Sequence, residues 1–410
     1  MIKDNLNTSN KFFLLILMCF SLILSNVSFA IWPIYLVEFR DTWSLSNTDI
    51  GWISGSYFIG YLALTPVYVG LTDKLDAKWI FITASLSTSL ACVCLIFLAQ
   101  GFWSTCLIWA IVGSGLAGTY MPGLQVLNSR LNNIERVKFT PWYTSSFGIA
   151  NGISFVIIGY IFVNYSWQFA CFSAAMSSTL ASILVFLLVK NQKPKSSKLN
   201  TNRYFFDLRP AFQNSKALSY ILCYGTHTYE LFAYRAWIFG FIAWSSLNSP
   251  DSISLDLISF IIGIIMILGM IASLIGAKIC LDFGRRKILI LIGGFTFIIS
   301  IFCAISISLP LWYLILLLGL YHFFIMFDSG ALTAGTVAAS QDHERGATLA
   351  LHSLIGFGGG ALAGPIIGLI LDLAGGSENS LAWSFAFITM GLGSFFVMMI
   401  QIRAKYLDNR

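Results

Sequence analysis

Residues Lys190–Lys216 read KNQKPKSSKLNTNRYFFDLRPAFQNSK, the longest polar stretch of a chain that is otherwise mostly apolar. The stretch carries Lys190, Lys193, Lys195, Lys198, Arg203, Arg209 and Lys216. Six apolar runs precede it, at roughly 12–37, 50–71, 79–99, 103–127, 141–163 and 167–189. Six follow, at roughly 217–244, 254–277, 288–308, 311–339, 347–371 and 381–401. A spanning helix needs about 20 apolar residues. Lipid offers the backbone no partner, so a run of this kind satisfies its own hydrogen bonds by being helical. The sequence therefore predicts an all-α membrane protein of twelve transmembrane helices. Residues 1–190 form a first six-helix half, 191–216 a cytoplasmic linker and 217–410 a second six-helix half.

Composition agrees. Hydrophobic residues make up 57% of the 410 and charged residues 10%, with a mean hydropathy of +0.79. Soluble domains carry roughly 25% charged residues, so lipid is the solvent for most of these side chains. The net charge of +6 does not point to nucleic acid, because the basic residues are spread over short loops. Of 24 Lys and Arg, 22 lie at the termini or in alternate loops and their helix ends. The exceptions are Arg40 and Arg235. The other loops hold Glu38, Asp41, Asp49, Asp251, Asp256, Asp372 and Glu378. This is the positive-inside pattern. It predicts both termini in the cytoplasm, an even number of spans, and a multi-pass protein of a bacterial inner membrane. Lys11, Phe12–Leu24 and Ser28-Phe29-Ala30 have the outline of a signal peptide. The apolar run continues to Val37, however, long enough for a retained first span.

Eight cysteines all lie in apolar runs, and none clusters with His. They read as small packing residues, with no metal site or disulfide framework expected. No nucleotide loop or nucleophile elbow marks an enzyme, and no cofactor is expected.

The halves repeat. At an offset of 209, Glu135-Arg136 falls on Glu344-Arg345, Gly60 on Gly269, Gly159 on Gly368 and Asp73 on Asp282. The loop after the second run reads Gly70-Leu71-Thr72-Asp73-Lys74-Leu75-Asp76-Ala77-Lys78. Its counterpart ends Leu281-Asp282-Phe283-Gly284-Arg285-Arg286-Lys287. These loops, the linker and the duplication resemble the major facilitator superfamily. Both loops depart from the family pattern: Asp76 and Ala77 stand for a Gly and an Arg, and the second loop is one residue short. The resemblance implies a twelve-helix secondary transporter working by alternating access. It also implies gating roles for Asp73, Lys74, Asp282, Arg285 and Arg286. A carboxylate at a helix end can pair across the halves in one access state and release in the other. Two family features are absent. Trp109 stands four residues before Gly113, where many proton-coupled members carry Arg, and the fifth span lacks the Gly-Pro of many drug antiporters.

Ionisable groups at membrane depth are costly and usually functional. His227, Glu230 and Arg235 lie on the seventh run, and Asp328 on the tenth. On a helix, His227 and Glu230 share a face and Arg235 lies about 80° from His227, so the three are expected to line one water-filled cavity. Arg235 is the candidate anchor for an anionic group, with Glu230 or Asp328 as its expected partner acid and as proton carriers. Asn26, at the repeat position of Arg235, and Gln125, beside an expected irregularity at Tyr120-Met121-Pro122-Gly123, are further candidates. Trp142 and Tyr143 read as interface-belt aromatics.

The leading functional expectation is transport of a small organic anion by a monomer, coupled to protons. Efflux of amphiphilic compounds is the alternative; a transport-inactive receptor or sensor is the alternative of another class.

Overall fold

The computed structural model describes residues 8–192, 208–341 and 345–408. Lys193, Lys195, Lys198 and Arg203 of the linker, and Glu344 of the duplicated Glu-Arg pair, lie outside the described residues. The first half comprises α1 (Thr8–Ser25), a 3-10 turn (Val27–Ala30), α2 (Ile31–Trp43), α3 (Asn47–Leu71), α4 (Ala77–Leu98), α5 (Phe102–Ser129), α6 (Asn133–Asn164) and α7 (Trp167–Leu188). The short α8 (Arg209–Gln213) leads into α9 (Ser215–Leu247), α10 (Leu255–Phe283), α11 (Arg285–Ile305), α12 (Leu311–Phe327), α13 (Ser329–Ala339), α14 (Arg345–Leu373) and α15 (Ser380–Asp408). α1 with α2, and α12 with α13, each make one broken span, so the rods among the described residues number twelve.

Ten of these spans are long and apolar enough by composition to cross a membrane. The other two, α3 and α9, carry Gly, Ser, Thr and Tyr or the charged triplet His227, Glu230 and Arg235. Their lower hydropathy has a structural reason: both pack centrally, where the two halves meet, and α9 is buried along most of its length.

The halves touch through α3 against α14, α6 against α10 and α2 against α9. Glycines set the first two crossings. A Cβ on Gly51 would stand 2.3 Å from the Gly364 oxygen, and one on Gly55 would stand 2.3 Å from the Ala361 oxygen. Gly152 and Gly263 meet in the same way, each Cβ falling within 2.8 Å of the other's carbonyl oxygen. Small residues let helix backbones approach this closely in a bilayer. By their places along the helices, these crossings lie toward the end away from the linker, called here the far end.

The first span is not the continuous helix its apolar run predicts. It breaks at Asn26, and α6 repairs the break. Asn26 Nδ2 donates to Asn151 Oδ1 at 2.7 Å. One turn on, Ser154 Oγ accepts from the Ala30 amide at 2.8 Å and donates to the Val27 carbonyl at 2.7 Å. Irregular backbone at membrane depth persists only where protein satisfies it. Conversely, the irregularity expected at Pro122 is absent: Pro122 lies inside unbroken α5. Tyr143 is fully buried beside it and donates to the Thr119 carbonyl at 2.9 Å, so it is no interface aromatic, whereas Trp142 is exposed.

Replacing Ser154 with Ala strips partners from the Val27 carbonyl and the Ala30 amide. A buried polar group left unpaired costs about 1–3 kcal/mol. Ser154→Ala should therefore lower the melting temperature in detergent by several degrees, and an unchanged melt would show that α6 does not hold the break.

Candidate functional site

Arg235 sits midway along α9, is 3% exposed, and faces the first half. The cavity before it is small, about 20 Å³ or room for one water, and its walls are largely aromatic: Phe29, Trp32, Tyr57, Phe58, Trp109 and Phe232, with Pro33, Ser54 and Ala236. Arg235 is the one charged residue in that lining. Its guanidinium carbon lies 5.6 Å from the Phe232 ring centre, a cation–π distance. Nη2 lies 3.9 Å from the Met326 sulfur, and Nε has no hydrogen-bond partner.

The acids expected to pair with Arg235 are engaged elsewhere. His227 Nδ1 lies 2.7 Å from Asp328 Oδ1, with both side chains buried. Glu230 accepts from Tyr321 Oη at 2.6 Å and from the Ser394 hydroxyl. Among the described residues no carboxylate stands within ion-pair distance of Arg235. The expectation of one shared arc is thus corrected: His227 and Glu230 point into the second half, and Arg235 points between the halves. Helix geometry gives the reason, since Glu230 and Arg235 are about 140° apart at 100° per residue.

The Glu230 hydrogen bonds and the His227–Asp328 contact hold α9 to its neighbours. Asp328 stands at the junction of α12 and α13 but does not cap it with its side chain, which goes to His227 instead. Tyr224 stacks against His352 at 3.9 Å and lies 5.8 Å from His227. His352 in turn faces the hydroxyls of Thr333 and Thr336, at 3.4 and 3.2 Å.

The remaining candidates fall apart from this cluster. Asn26 holds the break in the first span. Gln125 is exposed on α5 and is not among the cavity-lining residues. Asp73, Lys74 and Asp282 are exposed and make no ion pair among the described residues. Arg285 packs its guanidinium 5.9 Å from the Tyr220 ring, within the second half. Arg286 lies beside it on the first turn of α11. In the first loop the bonded acid is Asp76, whose carboxylate takes the Arg130 guanidinium at 2.9 Å and the Gln192 amide at 2.7 Å.

Polar contacts that sequence reasoning did not find join the halves at the far end. Both oxygens of Asp372, on the last turn of α14, cap the start of α3. Oδ1 accepts from Asn47 N at 3.1 Å and Nδ2 at 2.8 Å, and Oδ2 from Thr48 N at 2.8 Å and Oγ1 at 2.6 Å. A carboxylate at a helix N-terminus is favoured by the orphan amides and the helix dipole. Arg40 also reaches the second half, bonding the Ser377 hydroxyl and approaching Glu378 at 3.4 Å. Arg40 had one signal in the sequence: it is a cation on the acidic side.

Comparison with known proteins places this architecture. The family described as Major Facilitator Superfamily matches residues 13–250. The niacin transporter NiaP of Acinetobacter baylyi is 26% identical over 162 residues, 39% of this chain and 35% of that one. The hexuronate transporter of Bacillus subtilis is 26% identical over 257 residues, 60% of this chain and 59% of that one. The chain thus spans between about a third and three-fifths of these relatives' lengths. A bacterial homolog of the lysosomal transporter Spinster, inward-facing and occupied, superposes with a TM-score of 0.78 at 12% identity, covering 98% of this chain and 99% of that one. The nucleoside transporter NupG gives 0.75 at 16% identity, covering 95% and 98%. The chain belongs to the Major Facilitator Superfamily: it is a multi-pass membrane protein whose relatives are transporters, not enzymes.

Asp372→Asn keeps one acceptor oxygen where four donors converge and removes the charge. It should loosen the far end. In a background without the eight native cysteines, a cysteine at Ser54 should be alkylated several-fold faster by a reagent confined to the far side. An unchanged rate would place the seal in the glycine crossings alone.

Proposed function

We propose that this protein moves a small organic anion across the membrane by alternating access, with residues 1–190 and 217–410 acting as the two moving halves. The observation that carries this reading is Arg235, a buried guanidinium that has no carboxylate partner among the described residues and is the one charged group among those lining a cavity shared by both halves. Charge at this depth costs at least about 2.5–3.5 kcal/mol on insertion scales, and an anionic substrate would offset it. Guanidinium also grips carboxylate or phosphate in two-pronged geometry. The curated relatives named above are a niacin and a hexuronate transporter, both named for carboxylates. Efflux of cationic amphiphiles fits less well, because no acid lines the cavity.

Glu230 and Asp328 are the proton carriers in this scheme. Each is buried, and each touches a group whose hydrogen bonding changes when the acid is protonated: Tyr321 and Ser394 for Glu230, His227 for Asp328. Asp73, Lys74, Asp282, Arg285 and Arg286 act in the other access state, when the linker end closes. Basic loops at the linker end support a cytoplasmic side for it and for both termini, in a bacterial inner membrane.

Three measurements test this reading. Arg235→Lys keeps the charge and loses the fork; loss of charge-assisted bonds worth about 1.5–3 kcal/mol should weaken anion binding roughly 10- to 100-fold while the melt stays near wild type. Unchanged affinity would remove Arg235 from the site. Asp73→Asn should slow transport with little change in binding, and collapse of binding in a folded variant would contradict a gating role. Cysteines at Lys138 and Asn248, both exposed, should label from opposite sides of the membrane, with Lys138 on the cytoplasmic side.

A further inference from the structure

Four rings stand on the linker side of the Arg235 cavity. Phe58 and Tyr61 come from α3 of the first half, Phe232 from α9 and Phe357 from α14 of the second. Phe232 lies about one turn before Arg235 on α9, and Tyr61 about two turns beyond Ser54 on α3, in each case toward the linker. Phe357 touches each of the other three. Its ring centre lies 3.9 Å from that of Tyr61 and 6.3 Å from those of Phe58 and Phe232. Phe58 and Phe232 meet at 4.1 Å. Three of these four ring contacts thus pass through Phe357.

Beyond this layer the packing of α3 ends. Its buried residues stop at Tyr61, and every position from 62 to 71 is at least partly exposed. On the opposite side of the cavity, the backbone crossings at Gly51 and Gly55 shut the far end. The space between the two seals holds about one water, so a larger solute enters only when a seal parts. Toward the linker that seal is one layer of rings.

The rings are not equally free to move. Phe232 lies against the Arg235 guanidinium, on a stretch of α9 buried at every position from 230 to 242. Phe58 and Tyr61 are buried on α3, whereas Phe357 is only partly buried. Phe357 also stands in the run Gly356-Phe357-Gly358-Gly359-Gly360. Glycine favours the helix less than any residue except proline, so this turn of α14 is intrinsically weak. A Cβ on Gly358 would meet nothing within 4 Å, which leaves that side of the turn unpacked. The turn is tied to α9 instead, where the Thr228 hydroxyl donates to the Gly356 carbonyl at 2.6 Å.

From this we infer that Phe357 is a gating residue. It closes the Arg235 cavity toward the linker, and its displacement on the glycine turn opens the cavity on that side while the far end stays shut. The inference concerns access. It holds whichever solute enters and whether or not Arg235 is the anchor.

The test is alkylation of single cysteines in the full-length protein lacking its eight native ones, in membrane vesicles of both orientations. The probe is 2-sulfonatoethyl methanethiosulfonate, which does not cross the bilayer and so reaches one end at a time. Each rate is taken relative to that of the unfolded protein. Ser54→Cys places a thiol inside the ring layer. Thr65→Cys places one outside it, a turn beyond Tyr61 on the same face of α3. Presented from the linker end, the reagent should react at least tenfold faster at position 65 than at position 54. Phe357→Ala should raise the rate at position 54 several-fold, without changing the rate at position 65 or the rate at position 54 from the far side. Phe357→Leu keeps most of the volume and should raise it less; it reads the gate where the alanine variant does not fold. Equal rates at the two positions with the rings intact would overturn the inference. So would a rate at position 54 that neither variant moves, or one that rises equally from both ends. None of these outcomes bears on the anion reading, since no substrate is used.

Discussion

Water does not solvate the interior of a membrane-spanning bundle, so each polar group there must find its partner in the protein. That constraint organises this molecule. It makes every span a helix. Where the first span breaks at Asn26, it requires Asn151 and Ser154 to stand opposite, one turn apart on α6. It sends Asp328 to His227, and Glu230 to Tyr321 and Ser394, so that α9 is tied to α12, α13 and α15 rather than to lipid. With these contacts made, Arg235 remains a buried charge with no ion-pair partner among the described residues. Its surroundings are the aromatic walls contributed by both halves.

The separation of the charged groups on α9 has a mechanistic side. The acids lie behind the cavity wall, within the second half, while the cation lies in front of it. In the scheme proposed above, a proton reaching Glu230 or Asp328 would alter contacts between helices of that half, and an anion reaching Arg235 would alter the contact between halves. In the proposed scheme the two events are linked through one rigid element, since Glu230 and Arg235 both ride on α9 and Asp328 contacts His227 of the same helix, and the coupling needs no direct ion pair. The arginine that many proton-coupled relatives place on the fourth span is replaced by Trp109, which lines the same cavity.

Much of this was legible in the sequence, for physical reasons. Lipid demands long apolar runs, and loop charges sort by side, so the spans and the repeat could be counted from Lys190–Lys216 outward. Arg235 stood out because cations are rare at such depth. The break at Asn26 was not legible, because it depends on groups some 125 positions away in the chain. The same holds for Glu230, whose partner Ser394 looks like any other serine on a helix. Helical spacing suggested that His227, Glu230 and Arg235 act together, but spacing along one helix does not say which neighbour each side meets. Asp372 was read as a loop acid obeying topology; its four donors come from the first half. Trp142 and Tyr143 both have the residue type of an interface aromatic, yet adjacent residues on a helix face directions 100° apart, and only Trp142 is exposed.

The crossing of α3 over α14 has no interlocking side chains at Gly51 and Gly364; backbone lies on backbone. Parting such a contact uncovers little side-chain surface at these glycines, and the water that enters competes for the polar bonds beside them. The free-energy difference between closed and parted arrangements at this end is then set by a handful of polar bonds around Asp372 and Arg40, where water competes for the same groups. One substitution there changes the resting ratio of the two arrangements without touching the cavity. Descendants of this protein could therefore shift which face waits open while keeping the solute they recognise, so that direction of loading and choice of cargo evolve as separate characters.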